Sequence, residues 1–474
     1  MADGESCDFP ILKALQNQLT SRHRFHVPAH SALPGEYWGR YDLTELPGLD
    51  HLFAPRGCIA RAQELAADVF RAGSTYFLVN GSSCGLTAAI FSQCSPGDTL
   101  IMGRNSHRSA AAGLIFSGVK PEFIPVGEGP AGIPLNVLPH DTEKAVQHSA
   151  AKAPGLLITS PNYWGVCSNL GEIAGLARKR SVPLFVDEAH GGHFLFHQSL
   201  PACAALSGAD LWVNSAHKTL GALTPGSYMH LRKGALINTW KLEEALAMVQ
   251  TSSPPYPVLL SLDLTRGWLR NCGNDAFESA LETAFYLRYK ITQSAVFQCL
   301  DLADLPLGMQ LDPLRLTLYW EKLPFTGYQL CELLSAEYRI EVEMAGAAYL
   351  VILVHPGMGQ ETAEVLIRAL REIEKRFKTE NRIRPPAPYL LPPQFMSPRE
   401  AMEKEARLVP LDQAAGCVAA QLLTPFPPGA PVLYPGEEVL SETVERIAED
   451  LRNGIHFQDM IVSPSLQLRV VSDW

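Results

Sequence analysis

The chain has 474 residues, 47% hydrophobic and 19% charged, enough apolar material for a large core and at least two domains. Its formal charge of −10, with basic clusters only at Arg178 to Arg180 and between Arg371 and Arg384, argues against a nucleic-acid footprint and for solvated helix faces. Ten cysteines lack C-x-x-C or metal-ligand spacing, no apolar run reaches the roughly 20 residues that span a bilayer, and the acidic start carries no positively charged leader. The expectation is therefore a cytoplasmic protein with reduced thiols, no metal site and no membrane partner.

Residues 1 to about 57 mix helix with Pro/Gly turns and read as an amino-terminal arm. Cys58 to Phe70 then forms an amphipathic pattern that enters a domain of alternating strands and helices reaching to about residue 300. In Thr75 to Ile90 a strand breaks at Asn80-Gly81, and small residues lead into an Ala-rich helix. The free N–H groups of that helix's first turn favour an anion near Ser82, Ser83 and Cys84. An ordinary capped strand-to-helix turn is the plainer alternative. Thr99 to Met102 repeats the pattern and runs into Gly103-Arg-Asn-Ser-His-Arg108, where His107 could stack on a planar ring or simply be solvated.

Val182-Pro-Leu-Phe-Val-Asp-Glu-Ala-His190 is a continuous apolar run ending in acids, the pattern of a buried parallel strand. Ligands of open α/β sheets sit beyond the carboxyl ends of strands, so Asp187 is expected to face the crevice, unless it only caps the next helix. Glu188 reads as structural. Leu211-Trp-Val-Asn-Ser-Ala-His-Lys218 is a second buried strand, with Lys218 just past its end and Ser215 and His217 able to bind a phosphate. A lysine on a rigid platform facing a cofactor aldehyde is what pyridoxal phosphate chemistry needs, while a surface lysine past a strand end is the alternative.

Farther on, strands at Leu314 to Tyr319 and Tyr349 to Val354 flank a helix at Gly327 to Tyr338, a smaller α+β domain over 301–383. A Pro-rich linker at Arg384 to Pro398 leads to a carboxyl-terminal domain over 384–474, helical at Pro398 to Ala406 and turn-rich from Pro425 to Gly436.

These segments, in this order, resemble the ornithine/lysine/arginine decarboxylase family of fold-type I pyridoxal phosphate enzymes. The likeness rests on a Ser-x-His-Lys box, an Asp-x-Ala strand end, an Asn-Gly-Ser phosphate turn and an Arg-Asn-x-His segment. Thr159 to Leu170, Thr251 to Tyr256, Ser397 to Ala401 and Pro425 to Glu437 extend it over nearly the whole chain. The resemblance implies an α/β large domain like that of aspartate aminotransferase, with a mostly parallel sheet, plus smaller α+β domains. By it Lys218 would form the Schiff base, Asp187 would pair with the pyridine nitrogen, and His107 would stack over the ring. Ser83, Cys84, Ser215 and His217 would hold the phosphate, with His190 beside the cofactor and Ala189 near its other face. It further implies decarboxylation of a basic amino acid, arginine ahead of lysine and ornithine, by a homodimer or an assembly of dimers serving polyamine biosynthesis.

Glu343 and Glu437 are, by family position, the carboxylates that could read a cationic side chain. The chain departs from the family pattern at Ala29, Ser31, Asn162 and Pro225, changes that bear on substrate choice or turnover. An aminotransferase or acyl transferase of the same fold, and a catalytically silent paralogue, are the competing readings.

Overall fold

The computed structural model describes residues 8–19, 39, 41–149, 153–380, 387–460 and 466–473, so Ala29 and Ser31 lie outside the described residues. Eight strands bear on the site: β1 (Ser74–Leu78), β2 (Thr99–Gly103), β3 (Lys120–Ile124), β4 (Leu156–Thr159), β5 (Val166–Cys167), β6 (Leu184–Asp187), β7 (Leu211–Asn214) and β8 (Ser227–Leu231). All but β5 form one sheet in the order β1-β8-β7-β6-β4-β2-β3, and within it only β8 runs against the others.

Strands buried on both faces need apolar side chains at every position, which is why β4, β6 and β7 are runs of large aliphatic and aromatic residues. Alternate side chains feed different cores. Leu157, Phe185, Leu211 and Val213 point to one face, and Leu156, Ile158, Leu184, Val186 and Trp212 to the other. The parallel strands therefore deliver their carboxyl ends, and the residues that follow them, to a single edge.

Four helices matter early in the chain: α1 (Pro10–Leu19), α2 (Cys58–Val69), α3 (Gly81–Gln93) and α4 (Arg108–Ser117). α1 is pinned where the N–H of Ile11 donates to the Asp263 carboxylate at 3.1 Å. Asp263 belongs to a 36-residue helix, Tyr256–Ile291, about 54 Å long, that carries the chain away from the sheet.

The next unit is an antiparallel four-stranded sheet of β9 (Gln298–Cys299), β11 (Arg315–Tyr319), β12 (Met344–Ala345) and β13 (Tyr349–Leu353), with the helix Gly327–Tyr338 between β11 and β12. Just before β11, the short β10 (Gln310–Leu311) pairs with β5. That pairing brings the start of β11 against the edge of the large sheet where the strand ends gather.

The carboxyl-terminal region holds two antiparallel strand pairs, Ala406–Pro410 with Gln467–Val471 and Thr424–Phe426 with His456–Gln458. The helix expected over 398–406 stops at Glu403, and Ala406 already pairs in a strand. Ser397 caps that helix with a reciprocal Glu400 bond, a local signal that fixes its start but not its length. The described part of the Pro-rich stretch is tied down, Glu438 N–H donating to Pro393 O and Phe395 N–H to Gly436 O.

Candidate active site

A cavity of about 330 Å³ lies at the carboxyl edge of the sheet, lined by Ser83, His107, Asp187, His190, Ser215, His217 and Lys218 among others. Of the residues expected to hold the cofactor, Cys84 alone does not line it. Its Sγ donates back to the Gly81 carbonyl at 3.0 Å, and burial pushes the thiol up to about 12. One residue further along a helix is a turn of about 100°, so Ser83 opens to the cavity while Cys84 packs into the core.

At one end, Gly81 adopts φ +79 and starts α3, and no side chain caps that helix. Asn80, the residue placed to do so, instead accepts from Thr251 N at 3.0 Å. The first-turn N–H groups are thus left for an anion. Ser82 and Ser215 share a hydrogen bond of 2.7 Å across the two strand ends, fixing the turn to the segment that carries the lysine. His217 gives its Nδ1–H to the Gly226 carbonyl at 3.1 Å, and Pro225 packs against Gly81 on the same wall.

At the other end, Lys218 sits on a one-turn helix, its N–H donating to Ser215 O. Its Nζ is 3.0 Å from His190 Nε2 and 5.5 Å from the centre of the Tyr163 ring. Burial holds its amine below the usual lysine range, opposed by the Asp187 carboxylate. Asp187 ends β6, with Oδ1 accepting from Ala189 N at 3.1 Å. Burial raises its pKa, with the Lys218 charge pulling the other way. Glu188 turns inward instead, accepting from Ala204 N at 2.6 Å and from Asn214 Nδ2 at 3.0 Å, and burial lifts it to about 8. It is structural.

His107 caps α4, its Nδ1 accepting from Ser109 N at 3.2 Å. A neutral ring therefore carries its hydrogen on Nε2, and burial, with the Lys218 and Arg108 charges, lowers its pKa to about 4. The ring rests against Gly429, where a Cβ would stand 3.2 Å from Nε2. Arg108 N–H donates to Gly429 O at 3.0 Å. Phe426, Pro428 and Ala430 complete this wall, so the carboxyl-terminal region closes the cavity.

Two further findings correct or extend the sequence reading. Glu437 is not free to read a ligand: it is fully buried in a two-pronged pair with Arg104, Nη2 to Oε2 being 3.0 Å, and also accepts from Tyr434 N. Arg315, which drew no attention, is buried at the start of β11 with Nη2 2.8 Å from His190 Nδ1 and Nη1 3.1 Å from Tyr163 O. Glu343, exposed, lies 3.8 Å from Arg315 Nη1. Asn162 earns no direct role at the cavity's chemistry; its four bonds, to Pro134 O, Leu135 O, Trp164 N and Val166 N, hold the loop that carries Tyr163.

The model of the family described as Orn/Lys/Arg decarboxylase, major domain, matches residues 22–307, and that of its carboxyl-terminal domain matches 383–453. The chain belongs to this family. As an Orn/Lys/Arg decarboxylase family member it is 32% identical over 467 residues to an arginine decarboxylase of Bacillus subtilis, covering 95% of both chains. It is 33% identical over 484 residues to that of Bacillus anthracis, covering 98% of this chain and 97% of the relative. Among solved structures, a lysine decarboxylase of Francisella novicida superposes with a TM-score of 0.85 at 18% identity, over 98% of this chain and 81% of the other. The fold is thus the fold-type I architecture that the resemblance implied, with the mostly parallel seven-stranded sheet and smaller sheets beyond it. Among the described residues, no helix is long and apolar enough to cross a membrane, and no group of three metal-ligating side chains occurs.

Proposed function

We infer that this chain decarboxylates a basic amino acid with pyridoxal 5'-phosphate, arginine ahead of lysine and ornithine, releasing CO2 and the corresponding amine. The observation that carries this reading is that Lys218 and Asp187 share one cavity with an uncapped helix amino terminus. Arginine comes first because relatives alike over nearly their full length bear that substrate in their names.

The walls suit the cofactor. Asn105 Oδ1 and Thr159 Oγ1 line the cavity buried and without partners among the described residues, which is the state of atoms awaiting a polar ligand. Lys218 would hold the aldehyde carbon and Asp187 the ring nitrogen. The α3 turn, with Ser83, Ser215 and His217 and the backbone of Cys84, would hold the phosphate, while His107 and Ala189 would flank the ring. When bound, the cofactor supplies an electron sink for the pair left by the departing carboxylate. Asp187, as a carboxylate, keeps a proton on the nitrogen it faces. Lys218 Nζ or His190 Nε2 would deliver the proton that replaces CO2.

Glu343 is the remaining candidate for reading the substrate's cationic end. Glu343→Gln is expected to raise the KM for arginine about tenfold, roughly 1.4 kcal/mol, with kcat little changed. The reading as a whole is tested by incubating the protein and cofactor separately with arginine, lysine and ornithine, and following CO2 and amine by mass spectrometry. One dominant amine supports it, and cofactor binding without CO2 from any of the three overturns it.

The same reading carries a cytoplasmic homodimer, or an assembly of dimers, in polyamine biosynthesis, with units bounded at 57/58, 300/301 and 383/384. Light scattering after size exclusion tests the assembly, and limited proteolysis tests the boundaries.

A further inference from the structure

His190 is clamped between an arginine and a lysine, and their chemistry fixes where its hydrogen lies. Arg315 Nη2 stands 2.8 Å from Nδ1. A guanidinium only donates, so Nδ1 must offer a lone pair, and the single hydrogen of the neutral ring belongs on Nε2. Nε2 in turn is 3.0 Å from Lys218 Nζ. The contact is satisfied when Nζ accepts, which only an uncharged amine does.

The ring has no room to escape this assignment. Tyr163 lies against it with centroids 4.4 Å apart, and the Tyr163 carbonyl holds Arg315 through Nη1. The stem of Arg315 threads past Gly165, at φ +85, where a Cβ would come within 3.1 Å of Arg315 Cβ. The pairing of β10 with β5 anchors the approach.

We propose that Arg315 is a positioning residue that locks His190 as its Nε2–H tautomer and so presents Lys218 to the cofactor as a free amine. Without Arg315 the ring can turn its hydrogen to Nδ1 and accept from a charged lysine, which stabilises the unreactive form. The proposal rests on Lys218 being the cofactor's lysine. Other groups act on Nζ as well: Asp187 and Glu343 favour the charged amine, and Arg315 itself and burial disfavour it, with His107 and His217 on the remaining sides. A test must therefore separate direct repulsion by Arg315 from its action through the ring.

Competitive acetylation of the ligand-free protein across pH, read at the Lys218 peptide by mass spectrometry, gives the midpoint of that amine alone. Arg315→Met is expected to raise the midpoint by about one unit, a roughly tenfold loss of labelling at fixed pH. In a His190→Phe background the same substitution should move it by less than half as much. Equal shifts in both backgrounds overturn the proposal, because direct repulsion does not need the ring. Should Arg315→Met fail to fold, His190→Gln, whose amide N–H can stand in for Nε2–H, is compared with His190→Phe. A midpoint kept by Gln and raised by Phe supports the lock, and identical midpoints overturn it. Borohydride reduction of the cofactor-loaded protein, with the modified peptide located by mass, reports separately whether Lys218 is the cofactor's lysine at all.

Discussion

The two ends of the cavity are built on different physics. Where α3 begins, the site consists of backbone N–H groups and the neutral Ser82–Ser215 pair, and no charged side chain is desolvated to make it. Around Lys218 the site consists of ionisable groups taken out of water, Asp187, His190 and Arg315, each setting the protonation of the next. A neutral end tolerates substitution because each bond is worth little, while a desolvated charged end fails when one member is lost.

That contrast can be broken or sharpened in four ways. The largest effect is expected from Lys218→Ala, which should cut amine production at least about 10³-fold with the fold intact by circular dichroism. Next, Glu437→Gln strips the buried counter-charge from Arg104 and should cost about 3 kcal/mol of stability, seen in urea unfolding, although it lies at neither end. Ser82→Ala leaves the Ser215 hydroxyl unpaired and should weaken cofactor affinity only about tenfold by equilibrium dialysis. A loss as deep as that from Lys218→Ala would erase the distinction between the ends.

The smallest effect concerns acid. His107 has its folded pKa lowered from 6.5 to about 4, so the folded state binds fewer protons than the unfolded one between those values. Its contribution is full above pH 6.5 and is lost as pH falls toward 4. The melting temperature of the ligand-free protein should drop over that range, and less steeply in His107→Asn.

The charged and neutral ends were also unequally legible. Ser83, His107, Asp187, Ser215 and Lys218 stand at or just after strand ends, where apolar runs stop at glycine or polar residues, and a sheet delivers all such points to one edge. Arg315 reaches the same place from another sheet through the β10–β5 pairing, which leaves no local trace. A hint was present in Leu314-Arg-Leu-Thr-Leu-Tyr319, where leucines take one face of β11 and an arginine and a threonine the other. Glu437 was left open as a candidate, because its partner, Arg104, is 333 positions away and leaves no local trace. The Cys84 side chain turns away from the cavity for a reason residue types do not show: the direction of one helical side chain is set by rotation about the axis.

The wall of the cavity formed by Phe426, Pro428 and Gly429 lies some two hundred residues after Lys218. During synthesis the lysine and the aspartate therefore leave the ribosome long before the segment that backs His107 exists. Assembly of a complete cavity waits on that later segment, and a chain interrupted before it would carry its lysine in a pocket lacking this wall.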